Sequence, residues 1–180
     1  SFLPSRYGNT LTDKLGKHVL KHVAPDYQSF PFSARGSDER QYCWPSVDLP
    51  MVSLMRSKYG EYPEYHTSLD DLTFISPEGF AGSFEIFVRC IEALENNSIL
   101  KTQITCEPHL SKRNLYATIG GRGNNQLGRT ISNILIYSDG TNTILDIAEL
   151  LGVPVWTLYE AQDIIMREGM VTEIKARSNA

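Results

Sequence analysis

Leu49-Pro50-Met51-Val52-Ser53-Leu54-Met55 is an apolar run of strand length, bounded on both sides by charge and turn residues. It lies between two long segments, 33–48 and 56–72, with few periodic apolar positions and much polar chemistry. Both read as loops, and loops longer than about a dozen residues inside a compact domain are usually functional. Upstream, Thr12 to Val23 reads as a helix: Leu11, Leu15, Val19 and Val23 fall at helical spacing, Thr12 or Asp13 can cap it, and Ala24-Pro25-Asp26 ends it. Tyr27 to Phe32 alternates enough for a short strand. Downstream, Ser76-Pro77-Glu78 supplies a cap, a proline at the first helical position and an acid in the first turn. That helix is expected to run to about Glu95, burying Phe80, Phe84, Phe87, Val88, Ile91 and Leu94. A helix, strand, loop, strand, loop, helix order predicts an α/β fold with its loops at one edge of a sheet.

Beyond residue 98 the texture changes. Gly120-Gly121-Arg122-Gly123-Asn124-Asn125 reads as a linker or mobile loop; no Gly-Lys-Ser/Thr follows, so it is not a phosphate loop. Residues 129 to 175 form a compact unit. Thr130 to Tyr137, Thr143 to Leu151 and Pro154 to Glu168 read as helices, the last with Trp156, Tyr159, Ile164 and Ile165 inward, and Met170 to Ile174 as a strand. Three helices and a terminal strand make a winged-helix pattern. The domain reading is 1–98, a connecting segment 99–128, and 129–180. A DNA-reading third helix needs base-reading and basic side chains. This one sets Thr157, Gln162 and Arg167 against Glu160, Asp163 and Glu168, so a docking module for a protein partner or a second copy is expected instead.

The composition agrees with a globular chain: 41% apolar and 21% charged over 180 residues. A net charge of −4 argues against a general nucleic-acid surface. No apolar run reaches the roughly 18 residues of a membrane span. Ser1-Phe2-Leu3-Pro4 lacks the basic start and apolar core of a signal peptide, and a cytoplasmic location is expected. Cys43, Cys90 and Cys106 are odd in number and widely spaced, which is neither a disulfide framework nor a zinc knot.

Four histidines are candidates for chemistry. His18 and His22 share a helical face, but Val19 stands where a His-Glu-x-x-His motif carries its base, so a solvated or half-buried face is expected. His109, in Cys106-Glu107-Pro108-His109, reads as a loop residue. His66 sits in Glu61-Tyr62-Pro63-Glu64-Tyr65-His66-Thr67-Ser68-Leu69-Asp70-Asp71. A zinc-ligating imidazole needs its second nitrogen fixed by a carboxylate or carbonyl, and Asp70 or Asp71 supplies one if the loop turns back.

The run Tyr65-His66-Thr67-Ser68-Leu69-Asp70-Asp71-Leu72 resembles the segment carrying the last zinc ligand of the bacterial aminopeptidase family, which also contains glutaminyl cyclases. The closer resemblance is to bacterial aminopeptidase-like proteins with a C-terminal winged helix. It rests on residues 35–43 (Arg-Gly-Ser-Asp-Glu-Arg-Gln-Tyr-Cys), 56–72, the Pro4-Ser5-Arg6-Gly8-Asn9 positions and Cys106-Glu107-Pro108.

This resemblance implies part of a three-layer α/β/α domain, followed by a small winged-helix domain, and a zinc-dependent exopeptidase with one or two metal ions. By position His66 is the metal ligand, Asp70 its orienting group, and Asp38 lines the site as a catalytic residue. Glu39 stands where the wider family has His. Glu39, Glu61 or Glu64 are candidates for binding a free amino terminus, Arg40 or Arg56 for a substrate carboxylate, and Tyr65 for substrate contact. Loop salt bridges are the structural alternative for the charged residues. A catalytic zinc takes about three protein ligands, and residues 1–34 hold no His-x-Asp or Glu-Glu pair. The remaining ligands are therefore expected in a longer parent chain or a second chain. The expected activity is hydrolysis of an N-terminal aminoacyl or related amide in a peptide or small molecule. The alternatives are a partner-binding module with a degenerate metal site, or a zinc-dependent cyclising acyltransferase.

Overall fold

A computed structural model describes residues 1–113, 115 and 126–174. The Gly-rich stretch 120–125 lies outside them. The chain divides into two compact units, Ser1–Glu92 and Ala93–Ala180. The content is mixed, helices with two small sheets. No helix among the described residues is long and apolar enough to cross a membrane.

The first unit is organised around β1 (Phe2–Leu3), whose two side chains are completely buried. Each such side chain contributes roughly 1.5–3 kcal/mol by leaving water. α1 (Leu11–Val23) packs close: a Cβ added at Gly16 would lie 2.9 Å from the Phe2 ring, so only glycine allows the approach. The cap of α1 is Thr10, two or three residues earlier than expected. Its hydroxyl and backbone amide exchange hydrogen bonds with Asp13 in a capping box, and the Ser5 amide and hydroxyl donate to the same carboxylate. These four donors outweigh the effect of burial and lower the Asp13 pKa.

The expected strand over 49–55 shrinks to β2 (Ser53–Leu54), paired antiparallel with β1 in the register Phe2↔Leu54 and Leu3↔Ser53. The physical reason is partner length. β1 offers only two residues, Pro50 has no N–H to donate, and Leu49 is exposed. The expected strand over 27–32 is likewise a single bridge, Ser29 to Phe2, followed by a 3-10 turn at Phe32–Ala34. α2 (Glu39–Tyr42) is one turn long. α3 (Pro77–Glu95) starts and ends where the sequence places it. Its expected buried face is mostly exposed: Phe80, Phe84, Phe87, Ile91 and Leu94 are exposed, Val88 is half-buried, and Ala93 is the buried position. His18 is fully buried rather than solvated or half-buried, and His22, half-buried as expected, lies edge-on to it.

The second unit contains β3 (Ile99–Thr102), α4 (Gln126–Tyr137), β4 (Asp139–Thr143), α5 (Ile144–Leu151), α6 (Tyr159–Arg167) and β5 (Val171–Ile174). The sheet order is β4-β3-β5, antiparallel throughout. β3 falls inside the stretch assigned by sequence to a connection, and it is the central strand. The expected third helix over 154–168 is a 3-10 turn, Val155–Thr157, and then α6. Its inward side chains are Val155, Leu158, Ala161 and Ile165, whereas Trp156, Tyr159 and Ile164 are half-buried. With Leu100, Ile131, Ile134, Ile144, Leu145, Ile147 and Met170 they form the buried apolar core.

Candidate functional site

Glu39 organises the first of the two polar loops. It is completely buried. One carboxylate oxygen accepts from the Gly36 amide at 2.7 Å, the Ser37 amide at 2.9 Å and the Tyr59 hydroxyl at 2.5 Å. The other accepts from Ser53 Oγ at 3.3 Å. Burial alone would raise this carboxyl, but the Tyr59 hydroxyl and the two amides outweigh it and bring the pKa down to about 2. Burial and the Glu39 carboxylate push Tyr59 up to about 12. Gly36 must be glycine here, because an added Cβ would lie 2.7 Å from the Tyr59 ring. Glu39 thus ties the 36–42 turn to β2 and to the second loop, and it is buried away from any substrate amine.

The second loop continues from Tyr59 as an aromatic chain. Tyr59 and Tyr65 have ring centroids 6.3 Å apart, Tyr65 and Tyr62 meet edge-on at 5.6 Å, and Tyr62 stacks on Phe74 at 5.4 Å. His66 lies flat on Tyr65, centroids 4.0 Å apart and 15° from parallel. The His66 backbone is left-handed, with φ +57°, a conformation that costs a residue with a Cβ about 1–2 kcal/mol. Thr67 fixes the turn: its hydroxyl donates to the Glu64 carbonyl at 2.8 Å and accepts from the Leu69 amide at 3.2 Å. His66 is exposed, and among the described residues its ring makes no hydrogen bond.

The other candidates divide by place. Asp38 is exposed at the start of α2 and makes no side-chain cap. Asp70 is exposed, and among the described residues no hydrogen bond joins it to His66. Glu64 and Tyr65 are half-buried beside His66. Arg40 points outward, its Nε donating to the Ser37 carbonyl at 3.2 Å. Arg56 lies elsewhere, against the first turns of α3, where Nη1 donates to the Gly79 carbonyl at 3.4 Å. The structure therefore joins the two loops through Glu39, Tyr59, Tyr65 and His66, and leaves Arg56 apart. Tyr59 and Ser53 were not singled out from sequence, since a polar side chain 14 or 20 positions from Glu39 carries no local signal.

Within the first unit, no three His, Cys, Asp or Glu side chains among the described residues come within reach of one metal ion. His66 supplies one imidazole, so these residues do not by themselves fit a zinc ion, which takes about three protein ligands.

The class is a chain of mixed α/β content in two units, the second of which, over residues 97–173, matches the winged helix-turn-helix family. Residues 1–97 match the family described as a domain of unknown function (DUF4910), and the chain belongs to that family. It is 37% identical over 165 residues to a Clostridium acetobutylicum protein named "Putative polysaccharide biosynthesis protein with aminopeptidase-like domain", a match covering 91% of this chain and 38% of that one. It is also similar to a crystal structure of a "putative peptidase" from Clostridium acetobutylicum, with a TM-score of 0.83 and 32% identity over 96% of this chain and 38% of that one. The chain thus spans a little over a third of the length of these relatives.

Proposed function

We propose that this chain is the C-terminal portion of a zinc-dependent aminopeptidase-like hydrolase acting on an N-terminal aminoacyl or related amide bond. The supporting observation is the placement of His66: exposed, in a left-handed backbone, on an aromatic support that Glu39 anchors through Tyr59. Strained backbone persists where the surroundings over-determine it, which is common at functional sites. The names of the two relatives point the same way, and one couples the peptidase-like domain to polysaccharide biosynthesis. In this reading His66 is one metal ligand among others supplied from outside this chain, with Asp70 as its orienting group. Asp38 lines the site, Arg40 takes a carboxylate, and Glu64 and Tyr65 flank the substrate. Glu39 acts by holding the 36–42 turn in place.

A second reading is a partner-binding module with a degenerate metal site. It is favoured by the absence of a three-ligand cluster among the described residues of the first unit. Under either reading the winged helix-turn-helix segment docks protein rather than DNA, because α6 exposes Glu160 and Asp163 along with Arg167. The experiment that separates the two is turnover of aminoacyl amides by the full-length protein containing this chain. The hydrolase reading expects release that stops with a zinc chelator and returns with zinc. No release from any aminoacyl amide by the zinc-supplemented protein rejects it in favour of the second.

A further inference from the structure

The short helix α2 and the turn that follows it through Trp44 have two opposite faces. Glu39 and Cys43, four residues apart, are buried, and the Cys43 thiol donates to the Met51 carbonyl at 3.4 Å. Arg40 and Trp44, also four apart, share the outward face. Trp44 is 58% exposed, an unusual position for the largest apolar side chain. Its backbone is held firmly: the amide donates to the Gln41 carbonyl, and the carbonyl accepts from the Val47 and Asp48 amides at 2.9 and 2.8 Å. Arg35 arrives from the preceding 3-10 turn, its guanidinium 5.0 Å from the Phe32 ring centroid. Arg35, Arg40, Gln41 and Trp44 together line a recess of about 400 Å³. Among the described residues neither guanidinium has an acidic partner.

We infer that this recess binds a carboxylated sugar ring of monosaccharide size. Each element of the recess supplies one part of that recognition. Two guanidiniums without acidic partners, set around one cavity, favour an anion that accepts paired N–H donors from arginine, and a carboxylate is the one that matches the role proposed for Arg40. The exposed indole offers a flat apolar face for the C–H side of a pyranose. The Gln41 amide both donates and accepts, as a sugar hydroxyl requires. The volume falls within the range of small-molecule sites. Glu39 and Cys43 anchor the opposite face of the same turn, so the backbone that carries Arg40, Gln41 and Trp44 is held in place before ligand arrives. This names the ligand for the carboxylate-binding role proposed for Arg40 and rests on that part of the functional reading only; no metal or hydrolysis is involved.

The test is titration calorimetry of the full chain with sodium glucuronate, glucose and N-acetylphenylalanine. Saturable binding of glucuronate is expected, with glucose at least about tenfold weaker, the change a charge-assisted hydrogen bond typically makes. Arg35→Gln and Arg40→Gln should each weaken glucuronate about tenfold or more, and Trp44→Ala should weaken it where Trp44→Phe retains it. These side chains are exposed, so circular dichroism of the variants should match the unmutated chain. Equal binding of glucose, or unchanged glucuronate affinity in the Arg35→Gln/Arg40→Gln double variant, overturns the proposal. Preference for N-acetylphenylalanine overturns the sugar assignment and moves the carboxylate to a peptide, and preference for glucose 6-phosphate, titrated in the same way, overturns the carboxylate assignment. Because the readout is binding, a failure here is distinct from a failure to find zinc or turnover.

Discussion

Glu39 shows how one residue decides what a loop does. Four donors converge on a buried carboxylate, and hydrogen bonds to a charged group are worth roughly 1.5–3 kcal/mol each when one partner is removed. Glu39→Gln keeps the shape but loses the charge and turns one acceptor into a donor facing donors. It should lower unfolding stability by about 2–3 kcal/mol in urea titrations at neutral pH. The pH dependence has a definite sign. The folded pKa of about 2 lies below the ordinary value of 4.5, so the stabilisation is complete above about pH 4.5 and is lost as pH falls toward 2. The gap between the native chain and Glu39→Gln should therefore close over that window; a gap that is constant from pH 7 to pH 3 would mean that the charge contributes nothing. His66 supplies the opposite case. Its left-handed φ disfavours a side chain, and its ring stacks on Tyr65. His66→Gly should leave stability within about 1 kcal/mol, since glycine relieves the backbone. A loss of 2 kcal/mol or more in thermal unfolding would make His66 a structural residue.

At the scale of elements, the signals written locally in the chain are the ones that hold. Ser76-Pro77-Glu78 starts α3 at Pro77, and Gly152 closes α5 in a left-handed conformation. Thr143 and Asp146 form a capping box at the start of α5. β5 was legible in the run Met170 to Ile174, but most of the other strands were not, for a physical reason. β1 and β2 are two residues each and exist only because distant segments pair, while β4, Asp-Gly-Thr-Asn-Thr, has the composition of a turn. Helical periodicity in α3 is real, but period alone does not say what covers the apolar side. Phe84 is 72% exposed whereas Ile131 in α4 is completely buried. Phe84→Ser should change the stability of this chain by no more than about 0.5 kcal/mol, and Ile131→Ala should cost about 2–5 kcal/mol. Chemical denaturation of the two variants measures the contrast; equal losses would mean that the α3 face is packed in solution.

For the whole molecule, the chain divides into two compact units, and all the candidate site residues lie in the first. The two long polar segments were legible as mostly irregular chain, and so was the kinship with peptidase-like proteins. The tie between those loops was not, because it runs through Tyr59 and Ser53, whose partner is far off in sequence. Nor did sequence single out Trp44 and Arg35, whose company with Arg40 depends on the turn geometry of α2. The chain spans 38% of the length of either relative, so the site is tested in the full-length protein containing it. The most direct measurement is its zinc content as purified, beside that of His66→Ala. The account expects zinc in the unmutated protein and a loss of at least one ion per chain in the variant, with folding intact. Full-length protein without zinc, or zinc unchanged by His66→Ala, would contradict it.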